Sequence, residues 1–517
     1  MNNIPTPTFE WLQLAPVMAV LVAACLGIVV EAVAPRARRF SLQVVLVVVG
    51  IVAALGLLVL NFFAGNIGIL AMGAIALDGP TYLMWAALLV FGLLSILVFA
   101  ERRVDNGMSA FAASAASVPG SQAEAEASEA RHEHSEVFPL ALFSLSGMMV
   151  FCAASDLVTA FVALEVMSLP LYLLSGMARR RRLLSQEAAL KYFLLGSLSS
   201  AFFLFGMALA YGFSGSFDYR GIDAAVAAPV YGHGLLVTAM VLMAVGLLFK
   251  IGAVPFHNWV PDVYVGAPTP VTGFMAISTK LAAVGATARF FFVAVGAERW
   301  SWQPMIAAVA LITMVVGVVL ALSQTDIKRL LAYSSVSHAG FVLVAVVGAI
   351  VSTDTASSMA AIMYYLLAYG FATVAAFAMV TLVRNAAGEA NDISNWAGLG
   401  RSNPVLAGAF AIIMLSFAGI PLTGGFIGKW GVFAAAWVGG YSWLVVAGVI
   451  ASLVAAWVYL KVIVAMFFAP PVEGVSIAKG SLVTTIPIAV GALASVYLGL
   501  FPGPVMDLVT GASIFLR

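Results

Sequence analysis

Seven lysines occur in this chain, and four of them, Lys191, Lys250, Lys280 and Lys429, fall inside long apolar runs. An ammonium at the centre of a bilayer costs at least about 2.5–3.5 kcal/mol on insertion scales, so a lysine kept there marks a functional site. Lys461 lies near the end of its run, where a long side chain can reach the interface. Glu165 adds a carboxyl to the run 157–176, with Asp156 at its edge, and His257 and His338 add imidazoles. Amines and carboxyls withdrawn from water can gain and lose protons near neutrality, and imidazole does so unperturbed. Glu165, Lys191, Lys250, His257, Lys280, His338 and Lys429 therefore form a candidate proton relay. A sodium site would ask for more carboxylates and carbonyl oxygens.

Some of these residues admit a structural reading. Glu187 and Lys191 are four apart and can close a local ion pair on one helical face. His338, in Ser334-Ser335-Val336-Ser337-His338, can hydrogen-bond within a packing face of small polar residues. Lys250 and His257 would share a face of a continuous helix, but Gly252 and Pro255 interrupt it. The combination returns at Gly419-Ile420-Pro421, with Gly424, Gly425 and Gly428 just before Lys429. Broken helices are tolerable where their freed backbone lines a polar path, and paired breaks are the mark of inverted-repeat transporters.

Other chemistries find no support. The two cysteines, Cys25 and Cys152, sit in apolar runs without metal-ligand spacing and read as packing residues. Gly424 to Lys429 imitates a phosphate loop, yet Thr423 stands where its first glycine is required and Trp430 follows the lysine. There is no dinucleotide fingerprint, cysteine cluster or catalytic triad. Moving a proton against about 150 mV costs about 3.5 kcal/mol, so a pump of this kind needs a driving partner or a counter-ion.

The surrounding chain explains why these charges stand out. Of 517 residues 63% are hydrophobic and only 9% charged, with mean hydropathy +1.07. Such a chain cannot build a water-soluble surface, which excludes soluble enzymes and disordered tails. A net charge of +1 gives no field for nucleic acid or another polyanion. The composition predicts an all-α polytopic membrane protein. About fourteen spans begin near Leu14, Leu42, Pro80, Val137, Leu157, Glu187, Leu235, Pro268, Gln303, Lys328, Ala356, Pro404, Tyr441 and Leu482. The first reads as a retained span, because 1–11 lacks the basic start of a signal peptide. The breaks fall in spans seven and twelve, five apart, which predicts two inverted five-helix repeats, 137–295 and 296–470. They are flanked by N-terminal helices 1–103 and by a last helix with the C-terminus, 471–517.

Loop charges set the orientation. With both termini outside, the cytoplasmic loops carry Arg36, Arg38, Arg39, Arg102, Arg103, Arg131, Arg179 to Arg182, Lys328, Arg329, Arg384, Arg401 and Lys479. The other face carries only Arg220, Arg299 and Arg517, an asymmetry that follows the positive-inside rule. The stretch 104–136, rich in Ala, Ser and Glu, reads as a flexible cytoplasmic loop. Its His132, Glu133, His134 and Glu136 are read as solvated linker composition in preference to a weak metal site.

The motifs carry a resemblance. Phe249-Lys250-Ile251-Gly252-Ala253-Val254-Pro255-Phe256-His257-Asn258-Trp259-Val260-Pro261-Asp262-Val263-Tyr264, continued by Pro268-Thr269-Pro270-Val271, resembles the signature of the antiporter-like subunits of bacterial NADH:quinone oxidoreductase, respiratory complex I, and among them subunit N. Segments around Glu165, Glu187 to Lys191, Asp326 to His338 and Gly419 to Lys429 match as well, so the resemblance spans nearly the whole chain. It implies that Glu165 modulates Lys250, that Lys280 is central, and that Lys429 exchanges protons with the far side, with Lys191, His257 and His338 on the same axis. It also implies residence in the bacterial cytoplasmic membrane, proton pumping driven by electron transfer elsewhere, and neighbours such as subunits M, K and J. NADH, FMN, iron–sulfur clusters and quinone would belong to partner subunits, with no cofactor in this chain. The alternatives are a subunit of a multisubunit cation/proton antiporter, or a structural membrane subunit without its own channel.

Overall fold

The computed structural model describes residues 9–105, 107–114, 117–130, 133–229, 232–349 and 357–516. Arg131, His132, Ala356 and Arg517, named above, lie outside the described residues. Without water to satisfy backbone groups, continuous apolar runs can cross a membrane only as helices. In chain order they are α1 (Trp11–Val33), α2 (Arg36–Phe63), α3 (Gly79–Phe99), α4 (Val137–Ala153), α5 (Leu157–Ser175) and α6 (Arg182–Ser214). Then come α7a (His233–Ile251), α7b (Trp259–Gly266), α8 (Thr269–Arg289), α9 (Arg299–Leu322), α10 (Ile327–Gly348) and α11 (Ser358–Val380). The last are α12a (Pro404–Ala418), α12b (Gly424–Val438), α13 (Ser442–Phe468) and α14 (Leu482–Leu500). Among the described residues twelve helices are long and apolar enough to cross a membrane, and Val137–Ala153 and Pro404–Ala418 are shorter apolar ones. These correspond to the fourteen expected spans.

Both expected breaks are present and built alike. At the end of α7a, Gly252 takes φ +80 and its N–H donates to the carbonyls of Leu248 and Phe249 at 3.0 and 3.1 Å. At the end of α12a, Gly419 takes φ +78 and donates to Leu415 and Ser416, both at 3.0 Å. Each is a left-handed helix cap, open at low cost only to glycine. Two further features recur. Asp156 caps α5 through the Thr159 N–H at 2.8 Å and bridges to Asp218; Asp326 caps α10 through the Arg329 N–H at 2.9 Å and bridges to Asp392. Gly147 presses on the α5 backbone at Met167, as Gly317 does on α10 at Ser337, so a Cβ at either would enter its neighbour.

The helices sort by enclosure. In α8 and α10 the apolar windows are 94% buried, whereas α1, α2 and α13 turn most of theirs outward. Loops gather at two faces. One holds the β1 (Gly68–Leu70) and β2 (Ile75–Leu77) hairpin; the arginine-rich other holds a small sheet of β3 (Val383–Asn385), β4 (Gly388–Glu389) and β5 (Ser476–Ile477).

Three expectations need correction. The described part of 104–136 is not an unpacked linker. Phe111 is fully buried, the Ala112 N–H bonds the Met177 carbonyl at 2.8 Å, and Glu124 of a short helix, Gln122–Glu129, pairs with Arg182 at 3.1 Å. Its small residues let it lie flat on the α5–α6 loop, which supplies the arginines. Nearby His134 bonds Glu136 at 2.6 Å and so holds that carboxyl below the usual range. Second, Lys328, counted with the loop charges, is buried, because the first turn of α10 tucks under the α7b–α8 junction. Third, the low-charge face also holds Arg289, wholly enclosed at the end of α8.

Arg289 makes two 2.8 Å bonds to Asp78, one of 2.7 Å to Thr81 and one of 3.1 Å to the Cys152 carbonyl. The C-terminal residues close over it: Leu516 N–H donates to Asp78 at 3.0 Å and the Phe515 ring lies 4.7 Å from the guanidinium. A buried charge left without its partner destabilises by about 3–5 kcal/mol. Asp78→Ala is therefore expected to lower the thermal stability of the purified complex by that amount, read as the midpoint at which this subunit is lost. Phe515→Ala, which leaves the pair intact, is expected to shift it less.

Candidate functional site

The central helices bring most of the candidate residues into one row. Lys250, on the last turn of α7a, is 2% exposed. Its amine donates to the Tyr172 hydroxyl at 3.2 Å and lies 5.2 and 5.6 Å from the Tyr172 and Tyr192 rings. Glu165 stands two turns before Tyr172 on α5, and its Oε1 is buried without a protein hydrogen bond. The α7b residue Trp259 stacks on Tyr192 at 4.6 Å, and Tyr264, one turn later, reaches the Ser335 hydroxyl at 3.3 Å. Lys280, on α8, donates to that hydroxyl at 2.6 Å and to the Ser335 carbonyl.

From Lys280 the row continues across α11. The Tyr369 ring lies 5.4 Å from the Lys280 amine and 4.6 Å from the His338 ring. His338 meets the Tyr365 hydroxyl at 2.5 Å through Nδ1 and the Tyr459 hydroxyl at 3.2 Å through Nε2. Phe417 is 5.5 Å from the same ring, and its carbonyl accepts from Lys429 at 3.1 Å. Lys429 also donates to the Ala418 carbonyl at 2.9 Å and the Ser452 hydroxyl at 2.8 Å. Both carbonyls belong to the last turn of α12a, whose end leaves them without helical partners.

Two candidates sit apart. Lys191 is not enclosed: its side chain is 43% exposed and paired with Glu187 at 2.7 Å and Asp262 at 2.8 Å. The local ion pair considered from the sequence therefore forms, and Asp262 extends it to Arg329 at 3.3 Å. His257 lies in the turn between α7a and α7b, off the face that carries Lys250, with its Nδ1 buried and without a protein hydrogen bond. Among the described residues no group of three metal-ligating side chains converges.

Sequence reasoning missed the tyrosines. Tyr172, Tyr192, Tyr264, Tyr365, Tyr369 and Tyr459 carry the row between the charged groups, and a tyrosine in an apolar span does not stand out by cost. A signal was present in the spacing, for Tyr172 follows Glu165 by two turns and Tyr369 follows Tyr365 by one.

Such a bundle, with two interrupted helices and a row of enclosed lysines, defines an antiporter-like, multi-pass membrane subunit. Residues 154–455 match the family described as NADH:quinone oxidoreductase/Mrp antiporter, TM. The chain is 51% identical to NADH-quinone oxidoreductase subunit N of Nocardioides sp. over 99% of both chains, and 50% identical to subunit N 3 of Streptomyces griseus over 100% and 96%. It superposes on a chain of respiratory complex I from Thermus thermophilus with TM-score 0.77 and 31% identity, covering 96% and 100% of the two chains. A chain of the Mrp complex from Dietzia sp. shares the fold, with TM-score 0.79 at 21% identity over 97% of each. The chain belongs to the NADH-quinone oxidoreductase subunit N family.

A Cβ on Gly419 would lie 2.8 Å from Cδ and 3.1 Å from Nζ of Lys429, at a left-handed backbone position. Gly419→Ala is expected to destabilise by about 1–2 kcal/mol from backbone strain. It also displaces the Lys429 amine, so NADH-driven proton uptake by vesicles should fall even where the complex assembles.

Proposed function

We infer that this chain translocates protons as subunit N of NADH:quinone oxidoreductase, driven by electron transfer between NADH and quinone in partner subunits. The observation that carries this reading is the row itself: Lys250, Lys280 and Lys429 are buried yet make no ion pair within 4.0 Å among the described residues, and hydroxyls, an imidazole and aromatic rings fill the intervals. Protons pass along groups that can each accept one and release another. Glu165 sets the charge beside Lys250, Lys280 and His338 form the middle, and Lys429 exchanges with the far side. A change in the Glu165 neighbourhood biases where the proton rests, and the row responds by population shift. His257 and Lys191 serve at the margins, His257 in the turn beside α7b and Lys191 through its pairing with Asp262.

The recurring caps and crossings support a division into two five-helix repeats, 137–295 and 296–470, with 1–103, 104–136 and 471–517 outside them. The arginine-rich face is cytoplasmic and both termini lie outside, in keeping with the positive-inside rule. Subunits M, K and J are the expected membrane neighbours, and flavin, iron–sulfur clusters and quinone belong to partner subunits.

Neutralising Lys280 tests this reading. In an assembled complex, Lys280→Met is expected to lower the protons moved per NADH oxidised, with Lys250→Met acting in the same direction. Unchanged stoichiometry and rate in both would sink the relay. Sodium or potassium transport by the subunit in vesicles without an electron donor would favour an antiporter instead.

A further inference from the structure

Lys328 has no place in the row, yet it is 2% exposed. It lines a cleft with about 70 Å³ open to water on the arginine-rich face, walled by the α5–α6 loop, the α7b–α8 junction, Asp105 and the β3–β4 hairpin. The polar groups of this cleft are unequally satisfied. Asp105 binds Arg180 at 2.8 Å and Arg384 at 3.3 Å, one carboxylate shared between two guanidinium groups of the wall. Lys328 donates to the Ala267 carbonyl at 3.0 Å and the Val265 carbonyl at 3.3 Å, leaving a third N–H. Asn391 beside it is 5% exposed, and its Oδ1 has no protein partner. Glu389 makes no ion pair within 4.0 Å among the described residues; its Oε2 accepts from the Thr269 hydroxyl at 2.6 Å.

A buried amide oxygen without a protein partner, next to a buried amine, is completed by water. Water entering the cleft would reach as far as Lys328. Its two inner residues head the central helices, Thr269 on α8 and Lys328 on α10. Ser335, which holds Lys280, follows Lys328 by two turns on the same face of α10, about 10 Å further in.

Resting on the relay reading above, we propose that this cleft is the proton-uptake mouth, with Glu389 as its collecting carboxylate and Lys328 as the first buried station. The Glu389 carboxylate takes a proton from bulk water and returns it to the water of the cleft. The Lys328 amine then receives one proton as it gives another inward, toward Ser335 and Lys280, so both groups end as they began. The positive charges of Arg181 and Lys328 oppose Na⁺ or K⁺, which must enter as carried ions. Protons instead move by exchange between the carboxylate and water.

The test uses vesicles with the assembled complex, assembly being checked on native gels. Glu389→Gln is expected to slow NADH-driven proton uptake about ten-fold. Glu389→Asp should restore most of it, and so should added formate, a weak acid small enough to enter the cleft. Formate should not rescue Lys280→Met. Thr269→Val, which removes only the hydroxyl that holds Glu389, is a second variant expected to slow uptake in the same direction. Wild-type uptake in whichever of Glu389→Gln and Thr269→Val assembles overturns the proposal, as does a slowed Glu389→Gln that formate leaves unchanged. Normal pumping by Lys280→Met would fault the relay itself, whereas a defective Lys280→Met beside a normal Glu389→Gln would fault only the mouth.

Discussion

A lysine enclosed in a membrane protein must find acceptors, and the kind of acceptor it finds decides what it can do. Here the buried amines are held by neutral oxygens: Lys280 by Ser335, Lys429 by Phe417, Ala418 and Ser452, Lys328 by Val265 and Ala267, and Lys250 by Tyr172. A carboxylate partner would fix the ammonium form, whereas Asp78 pairs with Arg289, a guanidinium that stays charged in any case. Carbonyl and hydroxyl oxygens accept from an amine in either protonation state. The arrangement separates a charge that holds the fold from amines whose acceptors suit either protonation state.

The carbonyls that hold Lys429 and Lys328 come from helix ends, while Ser335, Ser452 and Tyr172 offer their oxygens from within helices. An uninterrupted helix spends most of its carbonyls on its own backbone, so a span that stops inside the bundle frees carbonyls that a lysine can use. The α12a helix ends at Gly419 and presents Phe417 and Ala418 to Lys429; α7b ends at Gly266 and presents Val265 and Ala267 to Lys328. The glycine and proline residues at the interruptions are thus part of the same device as the lysines. This also explains the close approach at Gly419, where the missing side chain leaves room for the Lys429 stem.

How much of this could be read beforehand depended on cost. Apolar length and loop arginines made the spans legible, and the price of a charge in hydrocarbon singled out Lys250, Lys280, Lys429 and Glu165. Elsewhere a local sequence pattern misstates burial. Lys328 stands at a helix start beside Arg329 and looks like a loop charge, but the α7b–α8 junction covers it. Lys191 lies well inside an apolar run, yet the folded chain leaves it partly exposed and ion-paired. Arg289 and Asp78 are far apart in sequence, so only the fold shows that they neutralise each other. The tyrosines have modest transfer costs and acquire meaning only from what lies on either side of them.

One short helix reaches nearly all of these parts. On α7b, Trp259 stacks against Tyr192 beside Lys250, Tyr264 bonds the Ser335 hydroxyl that holds Lys280, and the carbonyls of Val265 and, just beyond its end, Ala267 hold Lys328. Asp262, midway along it, pairs with Lys191 on α6 and Arg329 on α10. The helix is freed from α7a by the break after Ile251, so it can shift without bending a continuous span. A small displacement of α7b would alter the surroundings of Lys250, Lys280 and Lys328 together. Interrupting the seventh span therefore supplies a lysine's acceptors and also sets one short helix in contact with the surroundings of Lys250, Lys280 and Lys328.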